Sequence, residues 1–302
     1  MSILVVGSVA FDSVETPFGK ADEVLGGSAT YFSTSASYFT DVKLVAVVGE
    51  DFPDEHITGL KEKGIDLAGL KKVPGKTFRW KGRYDYDLNQ AHTLETHLNV
   101  FSAFNPEVPE SYKDSPFVFL ANIDPELQMK VLEQVRKPKL IACDTMNFWI
   151  EGKPDALRKL LKGVDLFVIN EGEAREFSGH SSLVKAAKAI LSCGPKTLII
   201  KRGEYGALMF NGGGMFSAPA YPLEEIFDPT GAGDTFAGGL MGYLANTGDL
   251  SEENIRKAII FGSVMASFNV EAFSLERLKT LTLPEIKARY SEFKRLTHFE
   301  DI

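Results

Sequence analysis

Six short runs of nearly uninterrupted apolar residues recur along the chain: Ile3-Val6, Leu44-Val48, Phe117-Leu120, Leu140-Cys143, Leu166-Ile169 and Leu198-Ile200. A strand that shows no polar alternation is buried on both faces, and a parallel sheet covered by helices on each side provides that burial. The stretches Pro125-Val135, Ala156-Leu161 and Leu183-Leu191 carry the spacing of such covering helices. The pattern predicts an α/β fold with a doubly wound, mostly parallel sheet. With 302 residues, 44% of them hydrophobic, the chain can bury one large core or two smaller ones.

One region breaks the rhythm. Between residues 77 and 99 the aromatics Phe78, Trp80, Tyr84 and Tyr86 fall at every second position, with Arg79, Lys81, Arg83, Asp85 and Asp87 on the opposite face. That is a half-exposed strand. Asp87-Leu88-Asn89-Gln90 has turn chemistry and His92, Leu94, Thr96 and Leu98 alternate again, so 77–99 is expected to form an antiparallel hairpin, joined by a short strand near Ser13-Thr16. The hairpin is either an edge decoration or a lid over a cleft, and its place in the chain does not decide between them. The charged end Glu292-Ile302 reads as a frayed terminus.

The net charge of −8 and the lack of a basic run argue against nucleic acid as a partner, because such binding depends on Lys and Arg displacing counterions. Cys143 and Cys193 have neither CxxC spacing nor neighbouring histidines, which fits a reducing cytoplasm without zinc or a disulfide framework. The start MSILVVGSVAFDS lacks a basic leader region and a cleavage site, so Met1 is expected to begin the mature chain. No run approaches the roughly 18 apolar residues of a membrane span, and no membrane association is expected.

The chemistry concentrates in DPTGAGDTFAGGL, residues 228–240. The small and apolar run after Asp234 suits a helix buried on every side, whose glycines would each cost a solvated helix about 1 kcal/mol. If that helix starts near Ala232 or Gly233, the amides from Gly231 to Asp234 form an anion site at its positive end. A carboxylate directly behind an anion site repels a phosphate unless it has a proton to receive, and a hydroxyl attacking a phosphoryl group supplies one. An ordinary Asp, with a pKa of about 3.9, can accept that proton late in a loose phosphoryl-transfer transition state. A positioned base of this kind contributes about 10² to 10⁴ in rate. The bland alternative is an N-cap aspartate on a buried glycine helix. Neither GxxxxGK[ST] nor GxGxxG is present to explain the glycines otherwise.

Residues Asp228 to Phe236 resemble the C-terminal signature of the ribokinase-like (PfkB) family of carbohydrate and nucleoside kinases. Supporting motifs follow in family order: Gly7 and Asp12 after an early strand, Gly26-Gly27 opening a helix, Asn170-Glu171-Gly172-Glu173, and Lys201-Arg202-Gly203-Glu204-Tyr205-Gly206. The resemblance implies a single kinase domain over 1–302, with 13–18 and 77–99 as lid segments. It implies Asp234 as the base and Gly231, Ala232 and Gly233 as the anion hole. ATP and Mg²⁺ are the implied cofactors, with Asn170 and Glu173 as the NxxE pair and Glu173 reaching Mg²⁺ through water, as suits a cation that stays largely hydrated. Lys201, Gly203 and Gly206 fall where the family binds nucleotide phosphates, and Asn269 follows its adenine-flanking helix Ile255-Phe268. Asp228 and Thr230 resemble positions that hold a monovalent cation, K⁺, in some members, although Asp-Pro-Thr-Gly is also good turn chemistry.

For the acceptor, the resemblance places Asp12 on sugar hydroxyls and Gly26-Gly27 at close backbone approach and as the lid hinge. Tyr31 stands where ribokinase-type members carry a sugar-contacting Asn, so that pentose contact is not implied. Asp144-Thr145-Met146-Asn147-Phe148-Trp149 resembles the DxN stretch of fructokinase-like members only loosely, so fructose specificity is not implied either. The aromatic lid, with Tyr31, Phe32 and Phe148, could instead stack on a nucleoside base or form an aromatic core. The expected function is an ATP-dependent kinase acting on a hydroxyl of a small carbohydrate, the alternatives being a nucleoside kinase of the same family and a catalytically silent sensor. The lid's polar edge is a candidate surface for a homodimer.

Overall fold

A computed structural model describes residues 1–89, 91–298 and 300. Gln90 of the expected turn, and Phe299, Asp301 and Ile302 of the expected frayed end, lie outside the described residues.

The strands are β1 Ile3–Val6, β2 Ala10–Thr16, β3 Gly19–Gly26, β4 Val42–Gly49, β5 Ile65–Val73, β6 Phe78–Tyr84, β7 Ala91–His97, β8 Phe117–Leu120, β9 Leu140–Cys143, β10 Leu166–Asn170, β11 Thr197–Lys201, β12 Ala207–Asn211 and β13 Gly214–Ala218. Nine of them form one sheet in the order β13-β12-β11-β10-β9-β8-β1-β4-β5. It is parallel from β11 to β5, and β12 and β13 extend it as an antiparallel edge. All six expected apolar runs lie in its parallel part. Alternate residues feed two cores: Ile3 and Val5 face the helices Ser28–Ala36, Ala232–Thr247 and Glu252–Asn269, while Leu4 and Val6 face Pro125–Leu132, Pro154–Leu161 and Leu183–Leu191.

The helices Ser28–Ala36 and Ala232–Thr247 explain the glycines in the second of them. A methyl on Gly238 would lie 2.4 Å from the Phe32 carbonyl oxygen, so the two backbones touch where that side chain is missing. Ser35 Oγ donates to the Thr235 carbonyl at 2.8 Å across the same seam.

The second sheet has the order β3-β2-β6-β7. β6 and β7 form the expected antiparallel hairpin, and β2 joins β6 in parallel. The sheet is larger than the sequence suggests, because β3 pairs antiparallel with β2 and runs directly into the helix at Ser28. Its GKADEVLG has no clear alternation, so its own pattern does not mark it as a strand. The expected frayed end is also partly corrected: Leu283–Leu296 is helical, capped by Thr282 and Glu285, with Phe293 buried. Pro125-Val135 is helical only to Leu132.

Candidate active site

In an open parallel sheet, ligands collect beyond the carboxyl ends of the strands, near the point where the chain reverses its winding. Here β1 starts the sheet, β4 and β5 add on one side, and β8 to β11 add on the other. Asp144 follows the end of β9, while Asn170 and Lys201 end β10 and β11 as register partners. The N-terminus of the glycine helix meets them there.

That helix begins at Ala232 with Gly231 as its N-cap, at φ 72° and ψ 0°, a left-handed conformation that closes a tight turn after Pro229. Asp234 is therefore the third helical residue and not the cap, which removes the bland alternative. The anion hole needs one correction. The Ala232 amide donates to the Pro229 carbonyl at 3.1 Å, because the turn closes on it, whereas the amides of Gly231 and Gly233 have no partner among the described residues. A methyl on Gly233 would lie 2.4 Å from Lys201 Nζ, so the ammonium rests against the anion turn. Among the described residues it forms no ion pair.

Asp234 is pushed up to about 6 by desolvation, against the pull of Lys201. Its neighbour is Asp144, whose carboxyl lies within hydrogen-bonding reach and which burial pushes well above the usual range. Asp144 Oδ1 is buried without a partner. The pair is best described as one carboxyl holding a proton beside one carboxylate, since two adjacent charges in a desolvated site repel. Sequence reasoning met Asp144 only as the start of a loose DxN stretch and gave it no role; an aspartate following a buried strand was the available signal.

Asn170 and Glu173 form a capping box, with the Glu173 amide donating to Asn170 Oδ1 at 2.8 Å and the Asn170 amide to Glu173 Oε2 at 2.9 Å. Desolvation raises Glu173, with Lys201 opposing. Gly203 opens a short turn that closes on Gly206. The lid reaches it: a methyl on Gly203 would lie 2.5 Å from Asn89 Oδ1. No three His, Cys, Asp or Glu side chains among the described residues gather closely enough to grip a metal directly.

On the acceptor side, Asp12 is buried against Gly26 and accepts a hydrogen bond from the Gly27 amide. Desolvation pushes it up to about 7, that hydrogen bond opposes, and Asp228 and Asp234 add to the rise. Tyr31 lays its ring on Gly231, and its buried hydroxyl has no partner among the described residues. Burial raises it, with Asp12, Asp228, Tyr84 and Asp234 close enough to contribute. Tyr84 comes from the lid and meets Thr230 Oγ1 at 3.4 Å.

Three expected residues serve other contacts. Asn269 is buried with its amide engaged at both ends, donating to the Thr230 carbonyl at 2.8 Å and accepting from Thr235 Oγ1 at 3.1 Å, so it clamps the loop and is not free for adenine. Asp228 accepts from the Thr230 and Ser274 amides at 2.9 and 3.2 Å. With the Thr230 hydroxyl on Tyr84, this pair clamps the loop. Of the additional aromatics, Phe32 stacks on Phe119 in the core at 4.2 Å, and Phe148 is exposed beside Trp149.

Comparison with known proteins bears out the fold and the family. Residues 6–279 match the pfkB family carbohydrate kinase family. A cytidine kinase of Thermococcus kodakarensis is 34% identical over 250 residues, covering 80% of this chain and 88% of that protein. A nucleoside kinase of Methanocaldococcus jannaschii, an archaeal member of the ribokinase family, shares the fold with a TM-score of 0.78 at 20% identity, covering 96% of this chain and 98% of that one. A ribokinase of Arabidopsis thaliana solved with ribose and ATP has a TM-score of 0.74 at 20% identity, covering 95% and 98%. By the extent of the family match and the identity to the archaeal cytidine kinase, this chain belongs to the pfkB family of carbohydrate kinases, phosphotransferases with an alcohol group as acceptor.

Proposed function

We propose that the protein transfers the γ-phosphoryl group of ATP to a hydroxyl of a small sugar-bearing acceptor, with Asp234 as the base that takes the hydroxyl's proton. The observation that carries this reading is the Asp234 carboxylate behind a turn whose Gly231 and Gly233 amides are free, with the Lys201 ammonium against that turn. Two amides and an ammonium receive the charge of the phosphoryl group, and the carboxylate receives the proton. Asp144 holds its own proton and so leaves Asp234 ionised to act. Asp12 accepts from the acceptor's hydroxyls, and Gly26-Gly27 turn the chain from the lid into the helix behind it. Tyr31 faces the same pocket with an unpartnered hydroxyl.

The ribokinase solved with ATP supports ATP as donor. Lys201 and the Gly203–Gly206 turn would hold its phosphates. The half-buried Glu173 fits Mg²⁺ held through water, with Asn170 fixing Glu173 in place. Bound there, Mg²⁺ would neutralise phosphate charge. The Asp228 and Thr230 side chains hold the loop through the Thr230 and Ser274 amides and Tyr84.

We read 1–302 as one kinase unit with the second sheet as its lid. β7 is exposed along its whole length, and its outer edge is where a second copy would pair, which light scattering of the purified protein checks. No helix among the described residues is long and apolar enough to cross a membrane, and two unpaired cysteines support residence in a reducing cytoplasm.

Asp234→Asn should reduce turnover by about 10² to 10⁴ while leaving ATP affinity nearly unchanged in titration calorimetry. Near-normal turnover would remove Asp234 as the base. ATP binding by the native chain without phosphorylated product from any sugar or nucleoside would favour the sensor instead.

A further inference from the structure

We infer that Trp80 is a stacking platform for the base of a nucleoside acceptor, whose sugar is held by Asp12 on the next strand. The inference rests on the kinase reading for the sugar end and adds the aromatic end. Asp12 on β2 and Trp80 on β6 are direct register partners, and Val14 and Gly82 are the next pair on the same face. Side chains at paired positions share a face, and adjacent strands lie about 4.8 Å apart. A ribosyl ring hydrogen-bonded to Asp12 thus has Trp80 one strand away, within reach of a base one glycosidic bond from the ring.

The indole is laid flat to receive it. A methyl on Gly82 would lie 2.1 Å from Trp80 Cη2 and 2.3 Å from Cζ2, so the six-membered ring rests on the bare α-carbon. Trp80 Nε1 donates to Thr93 Oγ1 at 3.2 Å, which pins the ring edge and satisfies its polar group. Trp80 remains half-buried, although Gly82 beneath it is buried. Farther along the face, Tyr84 reaches Thr230 at the glycine turn, so this face of the sheet looks into the cleft.

The neighbours favour a base over a second sugar. A sugar ring brings hydroxyls that need partners, whereas the half-buried indole, its N–H already engaged and its neighbours Val14 and Gly82 buried, offers an apolar ring face. A planar heterocycle matches that surface, and base–aromatic stacking is sequence-tolerant and strong in such settings.

The chain has two tryptophans, Trp80 and Trp149, so Trp149→Phe leaves Trp80 as the sole indole reporter. Without nucleotide, cytidine, uridine and inosine should each be tested for quenching of its emission, with D-ribose and D-fructose as controls. At least one nucleoside should quench, and the free sugars should not. Trp80→Ala should raise the KM of the quenching nucleoside roughly ten- to hundredfold with kcat within a few fold, and Trp80→Phe should recover most of that loss. Equal quenching by ribose, no quenching by any nucleoside, or an unchanged nucleoside KM in Trp80→Ala would overturn the inference. Phosphorylation of a free sugar by the native chain, with no nucleoside accepted, would do so while leaving the kinase reading intact. Quenching by a nucleoside with no phosphoryl transfer to any acceptor would support the platform and remove the kinase reading.

Discussion

Asp234 and Asp12 face the same pocket, and both are pushed upward chiefly by desolvation, to about 6 and about 7. For Asp234 the consequence is kinetic. Below its pKa the base carries a proton, so kcat/KM should fall about tenfold per unit of pH below about 6 and level off above it. A flat profile between pH 5 and 8 would exclude a titrating carboxylate at this step. For Asp12 the consequence is stability. A carboxyl whose folded pKa lies above its unfolded value carries no penalty below about pH 4; the cost grows as pH rises towards 7 and stays constant beyond. Asp12→Asn should therefore melt close to the native protein near pH 4 and clearly above it at pH 8, while losing acceptor affinity. A melting-temperature difference that does not change with pH would show that Asp12 is solvated. Replacement at Gly231 acts through the backbone instead, because its left-handed φ is costly for other residues and a methyl there would lie 2.4 Å from the Tyr31 ring.

At the scale of elements, the site depends on how closely two helices approach. The glycine helix presents its first turn to the cleft because its middle lies on the helix Ser28–Ala36 without side chains between them. Gly238→Ala would drive a methyl against the Phe32 carbonyl and separate the helices, a cost of about 1–3 kcal/mol. Urea denaturation should show a lowered midpoint with little change in slope. Activity should fall as well, since Asp234 and Tyr31 sit at the N-terminal ends of the two helices being forced apart. An unchanged midpoint would mean that the seam relaxes without strain. The lid hairpin follows a different logic: β7 is exposed throughout, so β6 and the contacts at the hairpin's tip must hold it.

In the whole molecule, those tip contacts span the cleft: Asn89 reaches the Gly203 turn that would hold nucleotide phosphates, and Tyr84 reaches Thr230 beside the anion turn. Each half of the site thus touches the lid. Amide exchange across 78–97 should slow more with acceptor and a non-hydrolysable ATP analogue together than with either alone, as mass spectrometry would record. Equal protection by either ligand would mean the lid responds to one site only. The parallel strands were legible in the sequence because burial on both faces leaves continuous apolar runs, and DPTGAGD was legible because a glycine turn and its carboxylate are neighbours in the chain. The polar strand β3 was not, since its position comes from pairing with β2 rather than from its own pattern. Nor was the role of Asp144: its carboxyl meets Asp234 only because β9 ends beside the start of a helix 90 residues later (234 − 144). Local chemistry and burial periodicity were therefore determined by the sequence itself. The proton-holding carboxyl pair, the loop clamp at Asn269 and the indole resting on Gly82 were decided by tertiary structure, because each is a contact between segments that only the folded sheets bring together.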